Sequence, residues 1–341
     1  MIELKNMKML LCARNTGEWI WNQRPSIFEK TMNGVESWVY ALKGTYKNGL
    51  LLNSSDIHNY DLIILNMNIQ YIAKYTDILK ENKTRKSIIV GLFEGCLSDV
   101  IPVWKSWSSL ANEMDFIISI NNLGTKFLQT LTYTQIKYIG IPYPIEGISN
   151  YSIGLQEKEE SCLLCSIPSL TPIDYLIGKQ LGCKMIGFEK SFVRNIKGVS
   201  RNFSLDKLKY IKKTNKIYND ENLTLYPMGS MDSFLKVASK SKIWINLDSR
   251  YTWARYVLDA AALGIPIITT SSTGHANTLF PNTTIDNPFD TSRAVEIGLK
   301  LLKDKDYYKD VIEIAKEKLS WFSIEKTLKR LDMMLKGNNE N

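Results

Sequence analysis

The chain has 341 residues, 44% hydrophobic and 23% charged, with a net charge of +8. That length suggests about two domains, and that much apolar material excludes a disordered or fibrous chain. The basic excess suits anionic ligands but does not by itself establish a nucleic-acid partner.

In chain order, short apolar runs at residues 7–12, 50–53, 61–66, 87–92, 116–120 and 136–140 read as strands buried on both faces of a parallel sheet. Between the first two, Val35, Trp38, Val39 and Leu42 recur at i, i+3, i+4 and i+7, a helical stripe. The polar segment that follows the turn Pro142-Tyr143-Pro144 reads as a linker. After it the alternation restarts, with strands at 162–165, 184–188, 223–226, 243–247 and 265–270 and helices at 172–181, 231–239 and 253–263. The expected units are an N-terminal domain at 1–146, a linker at 147–160 and a second domain at 161–320. A C-terminal helix and polar tail, 321–341, have the option of packing back on the first domain. The fold class is α/β: two doubly wound Rossmann-like domains facing a cleft, with ligands beyond the carboxyl ends of the strands.

The five cysteines are an odd, sparse set and give no disulfide framework. Cys162 and Cys165 form a lone CxxC inside an apolar run and read as buried structural thiols. The lysines at 207–216 read as the solvated face of a helix. No run of about 18 apolar residues and no leader pattern occur, so a cytoplasmic protein without a transmembrane segment is expected.

Residues 249–288 carry the strongest chemical signal. A helical run ends at Gly264, a short apolar strand follows, and the small-residue loop Ser271-Ser272-Thr273-Gly274 comes next. That order sets a helix N-terminus beside a small-residue loop at the edge of a parallel sheet. Unpaired N–H groups and partial positive charge favour phosphates in such a place. Arg255 and Asp259 are four apart and share a helix face. Two readings are open: a structural ion pair, or an arginine on phosphate with a carboxylate accepting a vicinal diol. No GxxxxGK[ST], GxGxxG or GxSxG motif is present. The two histidines, His58 and His275, are too few for a histidine-rich metal site, so neither metal nor bound cofactor is expected.

Five motifs, in order, are similar to those of the GT-B glycosyltransferases, two-domain enzymes that move a sugar from a nucleotide donor. Residues 32–39 (MNGVESWV) resemble that family's Gly-Gly-x-Glu approach to its first long helix, and residues 60–65 (YDLIIL) its third strand. Pro142-Tyr143-Pro144-Ile145 resembles the end of the first domain. Tyr226-Pro227-Met228-Gly229 occupies the usual base-binding turn. The most specific match is residues 258–266 (LDAAALGIP), similar to Leu-Glu-Ala-x-Ala-x-Gly-x-Pro. Two departures stand out. Tyr251 replaces the first acid of the Glu-x7-Glu pair whose second position is Asp259, and residues 166–171 (SIPSLT) lack the arginine and lysine that clamp the donor diphosphate.

The resemblance implies a nucleotide-sugar co-substrate, such as a UDP- or GDP-sugar, held mainly by the second domain. The implied donor residues are Gly34, Met228, Gly229, Arg250, Tyr251, Arg255, Asp259, Thr273, Gly274 and His275. Arg250 and Arg255 would replace the missing clamp, and backbone N–H groups at Thr273-Gly274-His275 would face the phosphates or sugar. Glu94, just beyond a buried strand, is the candidate to orient or deprotonate the acceptor hydroxyl. Asp99 is a weaker candidate, and His58 is expected on the surface. The acceptor is a glycan, a lipid-linked glycan or a hydroxymethylated DNA base, and peripheral membrane contact is compatible with the basic balance. The rival reading is a non-catalytic nucleotide-sugar-binding or scaffold protein of the same fold.

Overall fold

A computed structural model describes residues 4–13, 34–165, 173–189, 220–227, 230–252 and 255–337. The first sheet contains β1 (Met9–Ala13), β2 (Thr45–Asn48), β3 (Leu62–Asn66), β4 (Ile88–Phe93), β5 (Phe116–Ser119) and β6 (Ile136–Tyr138), all parallel, in the order β2-β1-β3-β4-β5-β6. Every residue of β3 is buried, as its unbroken apolar sequence requires. One core, with Ile63, Leu65, Tyr75 and Trp107, fills one face of the sheet; a second, with Leu62, Ile64, Trp38 and Val90, fills the other.

The strand expected at 50–53 does not form. Gly49–Leu51 is a 3-10 turn, and Asn53 caps the helix Ser54–Asn59 in a reciprocal capping box with Asp56. Leu50 and Leu51 are 54% and 62% exposed, so their apolar character reflects no core. The strand lies instead at Thr45–Asn48, at the sheet edge, where half-exposed polar residues leave no apolar run to read.

The second sheet contains β7 (Glu159–Leu164), β8 (Lys184–Glu189), β9 (Leu223–Pro227), β10 (Ser241–Asn246), β11 (Ile267–Thr270) and β12 (Thr284–Ile285), in the order β12-β11-β10-β7-β8-β9. All its pairings are parallel. The short β12 falls below the length at which apolar periodicity is visible. The helix Arg255–Leu263 crosses from β10 to β11 and ends at Gly264, whose φ of 63° is the left-handed conformation glycine adopts without penalty.

The polar segment after Pro144 is packed onto the second unit. Ile148 is fully buried, Tyr151 donates its hydroxyl to Asp232 Oδ1 at 2.7 Å, and Ser152 donates to the carbonyl of Leu263 at 2.8 Å. The helix Ile324–Leu335 returns to the first unit. Leu331 and Met334 enter its core, Asp332 Oδ1 accepts from the Leu4 N–H at 3.0 Å, and Arg330 Nε donates to the Ile139 carbonyl at 3.0 Å. Among the described residues, no helix is long and apolar enough to cross a membrane.

Candidate active site

Each sheet has a point where the strand order reverses: between β1 and β3 in the first, between β7 and β10 in the second. In open α/β sheets, crevices for ligands lie beyond the carboxyl ends of strands at such points. Here the two carboxyl edges meet. Asn121, just past β5, donates its side-chain amide to the carbonyls of Thr252 and Ser272 at 2.9 and 3.2 Å. Its Oδ1 accepts from the N–H groups of Leu123 and Gly124, capping the helix Asn122–Gln129. One side chain thus ends a helix of the first unit and ties that unit to two loops of the second.

On the first unit, the loops after β3 and β4 line an open pocket of about 110 Å³. Asn66, Asn68, Glu94 and Asp99 supply its polar wall, while Phe93 and Trp107, edge to face at 6.0 Å, supply part of its apolar wall. Asn66 is buried and donates its amide to Glu94 Oε2 at 3.3 Å. The Trp107 indole nitrogen is buried with no hydrogen-bond partner among the described residues. Glu94 and Asp99, both singled out from sequence, therefore share one cavity.

On the second unit, the loop after β10 carries Arg250, whose side chain is 52% exposed. Asp248 grips it from two sides, Nε to Oδ1 at 2.9 Å and Nη2 to Oδ2 at 2.6 Å. Asp248 holds the guanidinium more firmly charged than usual, with a smaller contribution from Asp99 across the cleft. Tyr251 beside it is exposed. Arg255 is different. Its guanidinium lies over the rings of Phe234 and Tyr256, 5.4 Å from each centroid, and its Nε donates to Asp259 Oδ2 at 2.9 Å. Of the two arginines offered as a substitute clamp, Arg250 faces the cleft and Arg255 packs on the core.

Asp259 is fully buried. Its second oxygen accepts the hydroxyl of Tyr143, which lies between the two prolines that close the first unit. Burial pushes the Asp259 carboxyl well above the usual carboxylate range, so the Arg255 and Tyr143 donors are what satisfy it. Each oxygen of the carboxylate thus has a donor within the protein.

The Thr273-Gly274-His275 loop follows β11. The Gly274 N–H donates to the Thr252 carbonyl and the Thr273 N–H to Thr270, so both backbone donors are committed inside the protein. His275 is buried, with Nδ1 2.9 Å from the Tyr138 hydroxyl, and its ring packs edge to face on Phe322. It stands at the N-cap of the short helix Ala276–Leu279 without a side-chain cap bond. Burial pushes its pKa down to about 3. The first unit, through Asn121 and Tyr138, lies against this loop.

Gly34 opens the helix Gly34–Leu42; Met228, Gly229, the 166–171 segment and the 207–216 lysines lie outside the described residues. His58 is exposed and bonds Asn82 at 3.0 Å. The five cysteines are free thiols. Sequence reasoning missed Asn121, Tyr138 and Tyr143. A tyrosine held between two prolines is a detectable sign of a fixed turn, but an asparagine cap carries no mark of its second task.

No family model matches the chain, and no curated protein matches its sequence. Solved structures do match. The Anabaena protein HepE in complex with UDP is similar over 97% of this chain and 100% of its own, with a TM-score of 0.68 at 11% identity. Sucrose-phosphate synthase from Thermosynechococcus elongatus matches over 82% and 74%, with a TM-score of 0.62 at 12% identity. An α-glucosyltransferase in complex with UDP and a 13-mer DNA matches over 96% and 99%, with a TM-score of 0.57 at 14% identity. The fold is that of the GT-B glycosyltransferases.

Proposed function

We propose that the protein is a glycosyltransferase that moves a sugar, a hexose by expectation, from a nucleotide-sugar donor to an acceptor hydroxyl. The observation that carries this reading is the pairing of two switch-point edges across one cleft, an open polar pocket on one and the exposed Arg250 on the other. The similarity to structures that hold UDP supports a uridine donor first. In the proposed reaction the bond from the anomeric carbon to the diphosphate breaks, and its electron pair leaves with the nucleotide. The acceptor oxygen bonds the anomeric carbon, and its proton passes to the Glu94 carboxylate. Arg250 meets the growing phosphate charge, assisted by the N-terminus of the helix Arg255–Leu263. No metal is assigned a role in this reaction.

Donor access requires the Asn121 contacts to loosen, since they cover the loop after β11. The non-catalytic reading draws on the same contacts and on the absent clamp at 166–171. Release of UDP or GDP from labelled nucleotide sugars, with glycan, lipid-linked glycan and hydroxymethylated DNA as acceptors, decides between them. Turnover with any acceptor supports the transferase. Tight nucleotide binding without turnover supports the rival. Arg250→Ala, at an exposed position, should weaken nucleotide binding about tenfold, the scale of one lost charged hydrogen bond; an unchanged affinity removes Arg250 from the donor site.

A further inference from the structure

Isolated apolar side chains on a surface are ordinary; a contiguous group of them is not. Among the described residues thirteen large apolar side chains are exposed, and seven of them lie along one line, the carboxyl rim of the first sheet. Leu50 and Leu51 follow β2, Ile69 follows β3, Ile101 and Trp104 follow β4, and Leu123 and Phe127 follow β5, each 40–62% exposed. Tyr75, Trp107 and Leu128, from the helices Ile72–Glu81, Trp104–Ala111 and Asn122–Gln129, share one core, so these segments start on one side of the sheet. With strands ~4.8 Å apart in the order β2-β1-β3-β4-β5, the row is about 20 Å long.

Printed contacts join its members. A side-chain carbon at Gly49 would meet Tyr71 and Tyr75, and Lys74 Nζ donates to the Leu50 carbonyl, so the Leu50 turn rests on the segment that carries Ile69. Ile69, Val100 and Val103 line one pocket, which sets Ile69 beside the Ile101 turn. A side-chain carbon at Gly124 would meet Leu97, four residues before Ile101, which brings in the helix bearing Leu123 and Phe127.

The charge on the row is mainly positive. Residues 49–51, 69–74, 97–105 and 122–127 hold three lysines, Lys74, Lys105 and Lys126, and one acid, Asp99, which lines the pocket. The Lys105 ammonium lies over the Trp104 ring, 5.6 Å from its centroid. A tryptophan beside a cation on an alkyl stem suits the boundary between lipid headgroups and acyl chains, where both side chains are favoured. Nucleic acid is held through its phosphates and would use the lysines alone, leaving the apolar groups in water.

We propose that this rim docks the protein on an anionic lipid bilayer. Ile101, Trp104, Leu123 and Phe127 enter the boundary between headgroups and acyl chains, and Lys74, Lys105 and Lys126 meet the headgroup phosphates. Apolar burial and electrostatic attraction act together in such interfacial binding. The proposal does not depend on the transferase reading.

The test is flotation of the intact protein with phosphatidylcholine vesicles, made with and without phosphatidylglycerol. The protein should float with the anionic vesicles about tenfold more than with phosphatidylcholine alone, and less as salt rises. Ile101→Ser combined with Trp104→Ser should lower the partition about tenfold, the scale of two partly buried apolar side chains. Lys105→Gln combined with Lys126→Gln should lower it by at least about as much. All four positions are exposed, so the denaturation midpoint should stay at the wild-type value. Phe289→Ser, at an exposed position on the second unit, should leave the partition unchanged. Lipid brominated in its acyl chains should quench a part of the tryptophan emission that Trp104→Phe removes.

Absence of flotation overturns the proposal, and so does a loss in Phe289→Ser equal to that of the Ile101 and Trp104 variant. Brominated lipid that quenches the wild-type protein and Trp104→Phe alike overturns it too. If the Ile101 and Trp104 substitutions instead abolish self-association or binding of a DNA duplex while flotation persists, the rim serves that partner and the proposal falls. Vesicle binding by a protein that transfers no sugar supports the docking rim and defeats the transferase reading alone.

Discussion

The two edges of the cleft follow one topological rule and are furnished in opposite ways. Beyond β3 and β4, Glu94, Asn68 and Asp99 stand around an open pocket. Beyond β10 and β11, the comparable polar groups point inward. Asp259 bonds Arg255 and Tyr143, His275 bonds Tyr138 through Nδ1, and the Thr252 and Ser272 carbonyls accept from Asn121. Arg250 and Tyr251 are the exceptions, exposed on the second edge. A polar residue at a sheet's carboxyl edge thus serves either a ligand or the partner unit, and burial separates the two uses.

The strongest way to break this contrast is to remove the buried carboxylate. Asp259→Ala takes from the Arg255 guanidinium, 14% exposed, the carboxylate that Nε donates to. Breaking a buried pair from one side costs about 3–5 kcal/mol. Denaturant unfolding should show a loss of that size, with Tyr143→Phe losing only about 1–2 kcal/mol for one hydrogen bond. A loss under 1 kcal/mol for Asp259→Ala would mean that the carboxylate is not a structural tie and is available to a ligand.

Next in size is an acid sensitivity set by His275. Its folded pKa of about 3 lies below the ordinary 6.5. The unfolded state therefore binds more protons between these values, and stability falls as pH drops through that window. The slope approaches about 1.4 kcal/mol per pH unit, so a fall from pH 6.5 to 5 removes about 2 kcal/mol through this residue. His275→Gln keeps a polar ring-sized side chain without a titrating group, and its stability should be flatter over that range. Equal slopes for the two proteins would show that the imidazole is not held neutral.

Much of the frame was legible before the fold was known, because parallel strands buried on both faces write unbroken apolar runs. β3, β4, β10 and β11 were read from such runs within one or two residues. The edge strand β2 was missed because its residues are half exposed and polar. At the site, Glu94 and Asp99 were legible as acids beyond a buried strand, but the cavity that unites them depends on the register of β3 against β4. The surroundings of Asp259, Gly274 and His275 were not legible, since Tyr143 and Tyr138, which bond the first and last, and Asn121, which packs on Gly274, lie more than a hundred residues away. Spacing within a helix announces Arg255 and Asp259 as neighbours; it says nothing about what covers them.

The smallest expected effect tests the closest contact between the edges. A methyl group added at Gly274 would meet Asn121 atoms at 3.0 to 3.3 Å, tighter than ordinary packing, so Asn121 must give way and strain its hydrogen bonds to Thr252 and Ser272. Gly274→Ala should therefore cost about 1 kcal/mol, at the low end of overpacking. Asn121→Ala alone should cost about 1–2 kcal/mol through its lost hydrogen bonds. In the double variant the added methyl finds the space that Asn121 vacated, so the two losses should fail to add by about 0.5–1 kcal/mol. The same double variant uncovers the loop after β11, and nucleotide affinity measured beside stability gives the second reading. A gain in affinity with Asn121→Ala means that the contact is a latch that donor binding must open. Unchanged affinity with additive stability losses means that the loop was never covered in solution, and the contrast between the two edges would then rest on Asp259 and His275 alone.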